Sequence, residues 1–230
     1  MYFTDTPSLK RCEAMMKQPP VSRQRGGGKN HSPFRYTKKD CDCHLCLYWQ
    51  NKKGCTVAVC PVLDIRLNCG AASFTEAVTA TFRKVDHFAF RDRLDKYIKK
   101  DGGSMIYENA WHKRLFDTER QILRKPDGKR LAVLYLLTAD EALWRKTKGA
   151  LKNGWLDFAS ISLGGVDSDS YALWKAVKEI QTGEKQISLC ELASKEDISD
   201  RAFRLIVQAN TIARFGMLVL SEAETGGKTE

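Results

Sequence analysis

The chain has 230 residues, 43% of them hydrophobic and 29% charged, with a formal net charge of +10. That apolar share supports one sizeable core or two small ones and excludes wholesale disorder or a collagen-like fibre. No apolar run approaches the ~18 residues that cross a bilayer, and Met1-Tyr2-Phe3-Thr4-Asp5 has no basic stretch leading into an apolar one, so neither a membrane span nor a secretory leader is expected.

The charge is uneven. Residues 1–54 hold 11 Lys and Arg against 4 Asp and Glu, whereas residues 55–230 hold 27 against 24. A cationic segment of this kind suits a polyanion such as nucleic acid. A plain solvated surface is the alternative use of such a run. Residues 1–40, with Pro19-Pro20 and Gly26-Gly27-Gly28, have little apolar periodicity and are expected to form a flexible basic arm. Arg23, Arg25 and Lys29 flank the glycines. The run fails as a phosphate-binding loop, because no strand precedes it and no Lys-Ser/Thr ends it. It fits a short Arg/Gly segment for RNA, or else a linker.

Residues 41–72 form a Cys-rich segment. Five of the eight cysteines fall between Cys41 and Cys60. In a chain of this length, without a secretory leader, such crowding favours a cytoplasmic metal site over a disulfide scaffold. Cys43-x2-Cys46 places two thiolates on one tight bend, and Cys55-x4-Cys60 brings back a second pair. Four soft ligands in this arrangement suit a closed, structural zinc site, a four-cysteine zinc knuckle. Cys41, His44 and Cys69 are further candidate ligands, and the ligand set stays open among them. Tyr48 and Trp49 interleave with Lys52 and Lys53, a pattern that stacks on bases and holds phosphates. The two aromatics serve equally well as the small segment's core.

Residues 73–222 read as a helical domain, followed by a polar tail over 223–230. Ser73-Phe74-Thr75-Glu76 fits a capping box, and the apolar spacing from Phe74 to Ile98 predicts one helix to about Lys100, ended by Gly102-Gly103. A second helix is predicted over 109–124 with Trp111, Leu115 and Ile122 inward. Leu131–Leu137 reads as a buried helix. Thr138-Ala-Asp-Glu141 reads as a second capping box opening a helix over 139–152, with a loop over 155–168. Asp167 to Gly183 bounds a further helix, Ser188-Leu-Cys-Glu191 forms a third capping box, and a last helix runs from Arg201 to about Phe215.

The stretch from Ser188 to Ile206 also has the rhythm of a helix-turn-helix. In that reading Ser199, Arg201, Arg204 and Gln208 face base edges. Asp197 and Asp200 oppose it by repelling phosphates, and the apolar Leu205, Ile206, Val207, Ile212 and Phe215 favour ordinary packing. No catalytic residues are assigned. The four histidines fall in no zinc-protease pattern, and no nucleophile-elbow, kinase or dinucleotide motif occurs. Glu108 and His112 share a face, where a lone helical histidine is most often a satisfied core or surface group.

The opening Met1–Pro7, Met15-Met16-Lys17-Gln18-Pro19 and Cys43-x2-Cys46-Leu47-Tyr48 resemble uncharacterised proteins encoded on phages and conjugative elements of Firmicutes. Leu134–Arg145 resembles a small helical domain of unknown function from the same elements, with Thr138-Ala-Asp where that domain has Gly-Asn-Asp. The resemblance implies a bacterial cytoplasm and a mobile-element accessory role, and transfers no activity. The expectation is therefore a mainly α, multi-helix protein with a four-cysteine zinc knuckle and a basic arm. It is expected to be a non-enzymatic accessory protein that associates with nucleic acid. The alternative is a protein–protein interaction module that binds and inhibits a host defence complex, of anti-CRISPR or anti-restriction type.

Overall fold

The computed structural model describes residues 36–50, 54–57, 60–101, 107–124 and 126–220. The basic arm with Arg23, Arg25 and Lys29, the pair Lys52 and Lys53, and the polar tail lie outside the described residues. The described part is mainly helical, as expected: ten α-helices and two short hairpins.

A 3-10 turn at Cys43–Leu45 leads into the hairpin β1 (Trp49–Gln50) and β2 (Gly54–Cys55), with Trp49 opposite Cys55. Helix α1 (Leu63–Asn68) follows, then α2 (Phe74–Phe82) and α3 (Phe88–Asp101). The single helix predicted from Ser73 to Lys100 is thus two helices. The break falls at the polar run Arg83-Lys84 and Asp86-His87. Arg91 stabilises it by donating from Nε to the Val85 carbonyl at 2.6 Å and from Nη2 to the Arg83 carbonyl at 3.2 Å. Those carbonyls are left without intrahelical partners where α2 ends. At the start of α3 the His87 Nδ1 accepts from the Phe90 N–H at 3.2 Å, as a cap would. The Ser73 box is half formed. The Ser73 hydroxyl accepts from Glu76 N–H, but the Glu76 carboxylate goes to Arg66, at 2.7 and 3.2 Å.

Helix α4 (Ala110–Ile122) packs on α5 (Gly128–Thr138), which Asp127 caps. Trp111 and Leu115 pack against the core as expected, whereas Ile122, expected inward, is exposed at the helix's last position. Every residue of α5 from Leu131 to Thr138 is buried, as an apolar run without a polar face requires. Gly128 starts this helix beneath the end of a later one. A Cβ there would sit 2.8 Å from the Ile212 carbonyl oxygen and nearer still to that of Ala213, so only glycine fits the approach. Helix α6 (Glu141–Thr147) is capped by Asp140 and not by Thr138. The Thr138 hydroxyl is buried and satisfies itself by donating to the Leu134 carbonyl at 2.8 Å.

The helix expected over 139–152 stops at Thr147. A 3-10 turn and a hairpin of β3 (Leu151–Lys152) and β4 (Trp155–Leu156) replace its end and part of the expected loop. Asn153 and Gly154 make the turn, both at positive φ (50° and 80°), which this tight hairpin connection demands.

Helix α7 (Ser168–Thr182) runs from its Asp167 cap to Gly183 in the left-handed conformation. Helix α8 (Leu189–Ala193) opens on a complete Ser188–Glu191 capping box. Helices α9 (Asp200–Phe215) and α10 (Met217–Leu220) close the domain. Helix α9 packs most extensively on α5, and α7 covers both; α2 lies on α9, while α8 packs on α3. Helix α5 is therefore the axis around which the domain's core is assembled.

Candidate functional site

Two regions concentrate chemistry. The first is the cysteine segment. Cys43 opens the 3-10 turn and Cys46 ends it, with the Cys46 N–H donating to the Cys43 carbonyl at 3.0 Å, so the C-x-x-C spacing forms a single bend. Cys55 ends β2, and the carbonyl of Cys60 accepts from Leu63 N–H at the entry to α1. These four cysteines and Cys41 line one cavity of about 260 Å³, together with Arg66 and Val62. The structure thus brings all four predicted ligands to a common wall. Among the described residues, no three metal-ligating side chains converge on one point.

A different sulfur pair is in hydrogen-bond contact: the Cys69 thiol donates to Cys41, with 3.4 Å between Sγ atoms. Burial, then the hydrogen bond to Cys69, pushes the Cys41 thiol up to about 11. His44 packs edge-on against Trp49, with ring centroids 4.7 Å apart. Trp49 is half-buried and Tyr48 is exposed, so one aromatic serves the segment's packing and the other faces solvent.

The second region lies between α3 and α9. Here a cavity of about 370 Å³ is lined by six cations and two carboxylates. Its walls are fixed from below. Arg93, only 5% exposed, donates to the carbonyls of Leu192, Ser194 and Ile198 and to Asp200, at 2.7–3.0 Å. Its guanidinium also lies 4.3 Å from the Phe203 ring centroid. Arg93 therefore ties α3 to the turn between α8 and α9 and satisfies carbonyls that the end of α8 exposes.

Arg201 and Arg204, the residues expected at base edges, are held within the fold. Arg201 Nε donates to Glu108 at 3.1 Å and its Nη2 to the Ala139 carbonyl at 3.1 Å, with Asp140 and Asp169 at 3.6 and 3.7 Å. Arg204 pairs with the other oxygen of Glu108. One carboxylate thus orients two guanidinium groups, and both still line the cavity. Of the other positions in the helix-turn-helix reading, Ser199 caps α9 and donates to Asp169 at 2.7 Å, while Gln208 is fully buried. On the rim, Lys96 pairs with Asp92 and Lys195 with Asp200, all exposed, and Lys100 meets no carboxylate among the described residues.

Beneath this cavity runs a buried polar chain. The Tyr135 hydroxyl donates to Gln208 Oε1 at 2.5 Å, and Gln208 Nε2 donates to the Tyr97 hydroxyl at 2.9 Å. His112 lies fully buried, its ring 4.7 Å from that of Tyr135. Its Nδ1 accepts from the Glu108 N–H at 3.0 Å, which fixes the proton of the neutral ring on Nε2. Burial, with Arg201 nearby, pushes His112 down to about 3, so the ring stays neutral at ordinary pH.

A cysteine–histidine pair is present as well. Cys190 Sγ lies 3.6 Å from His87 Nε2. His87 Nδ1 is already engaged as the acceptor from Phe90, so Nε2 carries the proton. A ring held in that tautomer donates to the sulfur and does not abstract its proton.

Neither the Glu108 clamp nor the Tyr135–Gln208–Tyr97 chain has a signal in local sequence, since each joins residues far apart along the chain. No family model, no curated protein and no solved structure matches the chain. No helix among the described residues is long and apolar enough to cross a membrane.

Proposed function

We propose that this protein is a non-enzymatic, zinc-containing accessory protein of a mobile genetic element that associates with nucleic acid in the cytoplasm. The observation that carries the reading is the distribution of charge. Of the chain's net +10, +7 lies in the first 54 residues, and the helical domain adds a cavity rich in cations. Positive charge gathered in this way favours a phosphate polymer over neutral partners. The cysteine segment supports the metal part: four thiols at the spacing of a closed zinc shell line one cavity. In this reading zinc holds the small segment together and Tyr48, Lys52 and Lys53 present a stacking and phosphate-binding edge.

The proposal is tested by capture from a host lysate with and without nuclease. The expected result is that nucleic acid co-purifies and that the accompanying proteins are lost after nuclease treatment. A discrete protein complex retained after nuclease, with no nucleic acid bound, would replace this reading with that of a module inhibiting a host defence complex.

A further inference from the structure

We propose that the cavity between α3 and α9 binds a phosphomonoester, the group found at the end of a nucleic-acid strand or on a nucleoside monophosphate. With the strand end as its source, the inference deepens the nucleic-acid reading; with the mononucleotide, it stands without it.

Size, charge and mobility point the same way. About 370 Å³ lies at the small end of the range for small-molecule pockets. It admits a phosphate with an adjoining sugar and is far too small for a duplex. Six cations face two carboxylates in the lining. Glu108, with Asp140 and Asp169 outside the lining, offsets the charge of Arg201 and Arg204, and Asp92 pairs with Lys96 on the rim, so the six cations exceed the carboxylates that meet them by one positive charge. A phosphodiester offers one negative charge and suits an open basic track. A phosphomonoester carries about −1.5 to −2 at neutral pH and suits a concave site where several cationic donors converge.

The site is also prearranged. Glu108 holds both α9 arginines in place, and the carbonyls around Arg93 fix the opposite wall. Little side-chain freedom is then lost when an anion enters. The rim is movable by contrast. Lys96 and Lys195 are 71% and 62% exposed, and their pairs with Asp92 and Asp200 are surface pairs worth little. They can turn to an incoming phosphate at small cost, and Lys100 has no carboxylate to leave among the described residues.

The test is isothermal titration of the full chain with three probes: a nucleoside monophosphate, and one single-stranded oligonucleotide with either a 5′-phosphate or a 5′-hydroxyl. The phosphorylated strand is expected to bind about tenfold more tightly than its twin, about 1.4 kcal/mol. That preference should vanish in the double variant Lys100→Glu with Lys195→Gln. It should persist in Lys99→Glu, which changes an exposed charge on the same helix outside the lining. Circular dichroism checks that each variant is folded. If neither strand binds but the monophosphate does, and the double variant loses it, the site stands and the nucleic-acid reading falls. Equal binding of both strands, or a preference that survives in the double variant, overturns the site while leaving general nucleic-acid association intact. Absence of binding by all three probes overturns the site as well.

Discussion

His112 shows how one side chain is fixed by its surroundings. The ring is buried against Tyr135, its Nδ1 is occupied by the Glu108 N–H, and charging it would place a cation beside Arg201. Its pKa falls from an ordinary value of 6.5 to about 3. The unfolded chain therefore binds a proton between those limits that the folded chain refuses, and stability must drop as pH falls through that window. The loss begins near pH 6.5 and is complete near pH 3. Between about pH 7 and pH 5, above the titration of most carboxylates, it should amount to about 2 kcal/mol. Chemical denaturation at a series of pH values checks this. In His112→Gln the slope over that interval should flatten, whatever the variant's absolute stability; an unchanged slope would mean that His112 does not titrate as described.

At this scale the sequence offers the residue but not its circumstance. The spacing of Glu108 and His112 suggests one helical face, where a satisfied core histidine is the ordinary expectation, but Glu108 lies just before α4 and caps the His112 ring from its backbone N–H. The partners that bury and depress it are Tyr135 on α5 and Arg201 on α9, and local spacing carries no information about either. The same holds for Arg201 and Arg204. Their place near the start of a predicted helix is legible, whereas the clamp by Glu108, 93 and 96 residues away, is not.

Among the elements, boundaries with a local chemical cause are legible in the sequence. Asp167 and Gly183 bound α7, and the Ser188–Glu191 box opens α8, because caps act within a turn of the residues that make them. The sequence misleads where apolar spacing outweighs polar punctuation. Arg83-Lys84 and Asp86-His87 divide what spacing alone joins. Asn153-Gly154, a strong hairpin signal in its own right, sits between an expected helix and an expected loop and overrides both.

The cysteine segment is the element whose chemistry is most directly testable. Cys43, Cys46, Cys55 and Cys60 line one cavity across a turn, a hairpin and the entry to α1, pieces too short to hold one another by apolar burial. With zinc as their clasp, freshly purified and unchelated protein should carry about one zinc per chain by elemental analysis. Replacing Cys43 and Cys46 together by Ser should abolish it. A content below about a tenth of an equivalent would remove the metal from the account. Zinc retained by Cys43→Ser/Cys46→Ser but lost on replacing Cys41 and Cys69, whose sulfurs lie 3.4 Å apart, would move the site to that pair.

For the whole molecule, a helical body organised around α5 is legible from one fully apolar helix and the amphipathic ones about it. The cation-rich cavity is not, because its lining comes from α3, from the residues just before α4, and from α9 with the turn before it. What the sequence does announce at this scale is charge, and charge is where the functional account rests. The most direct measurement is fluorescence anisotropy of labelled single- and double-stranded DNA and RNA, titrated with the full chain from low to physiological salt. Binding is expected to weaken steeply as salt rises, because each phosphate contact releases counterions. Replacing Arg23, Arg25 and Lys29 together by Ala should weaken it for all sequences alike, and replacing Arg201 and Arg204 should change it less. No measurable binding of any of these oligonucleotides at low salt would contradict the central claim and favour a protein partner instead.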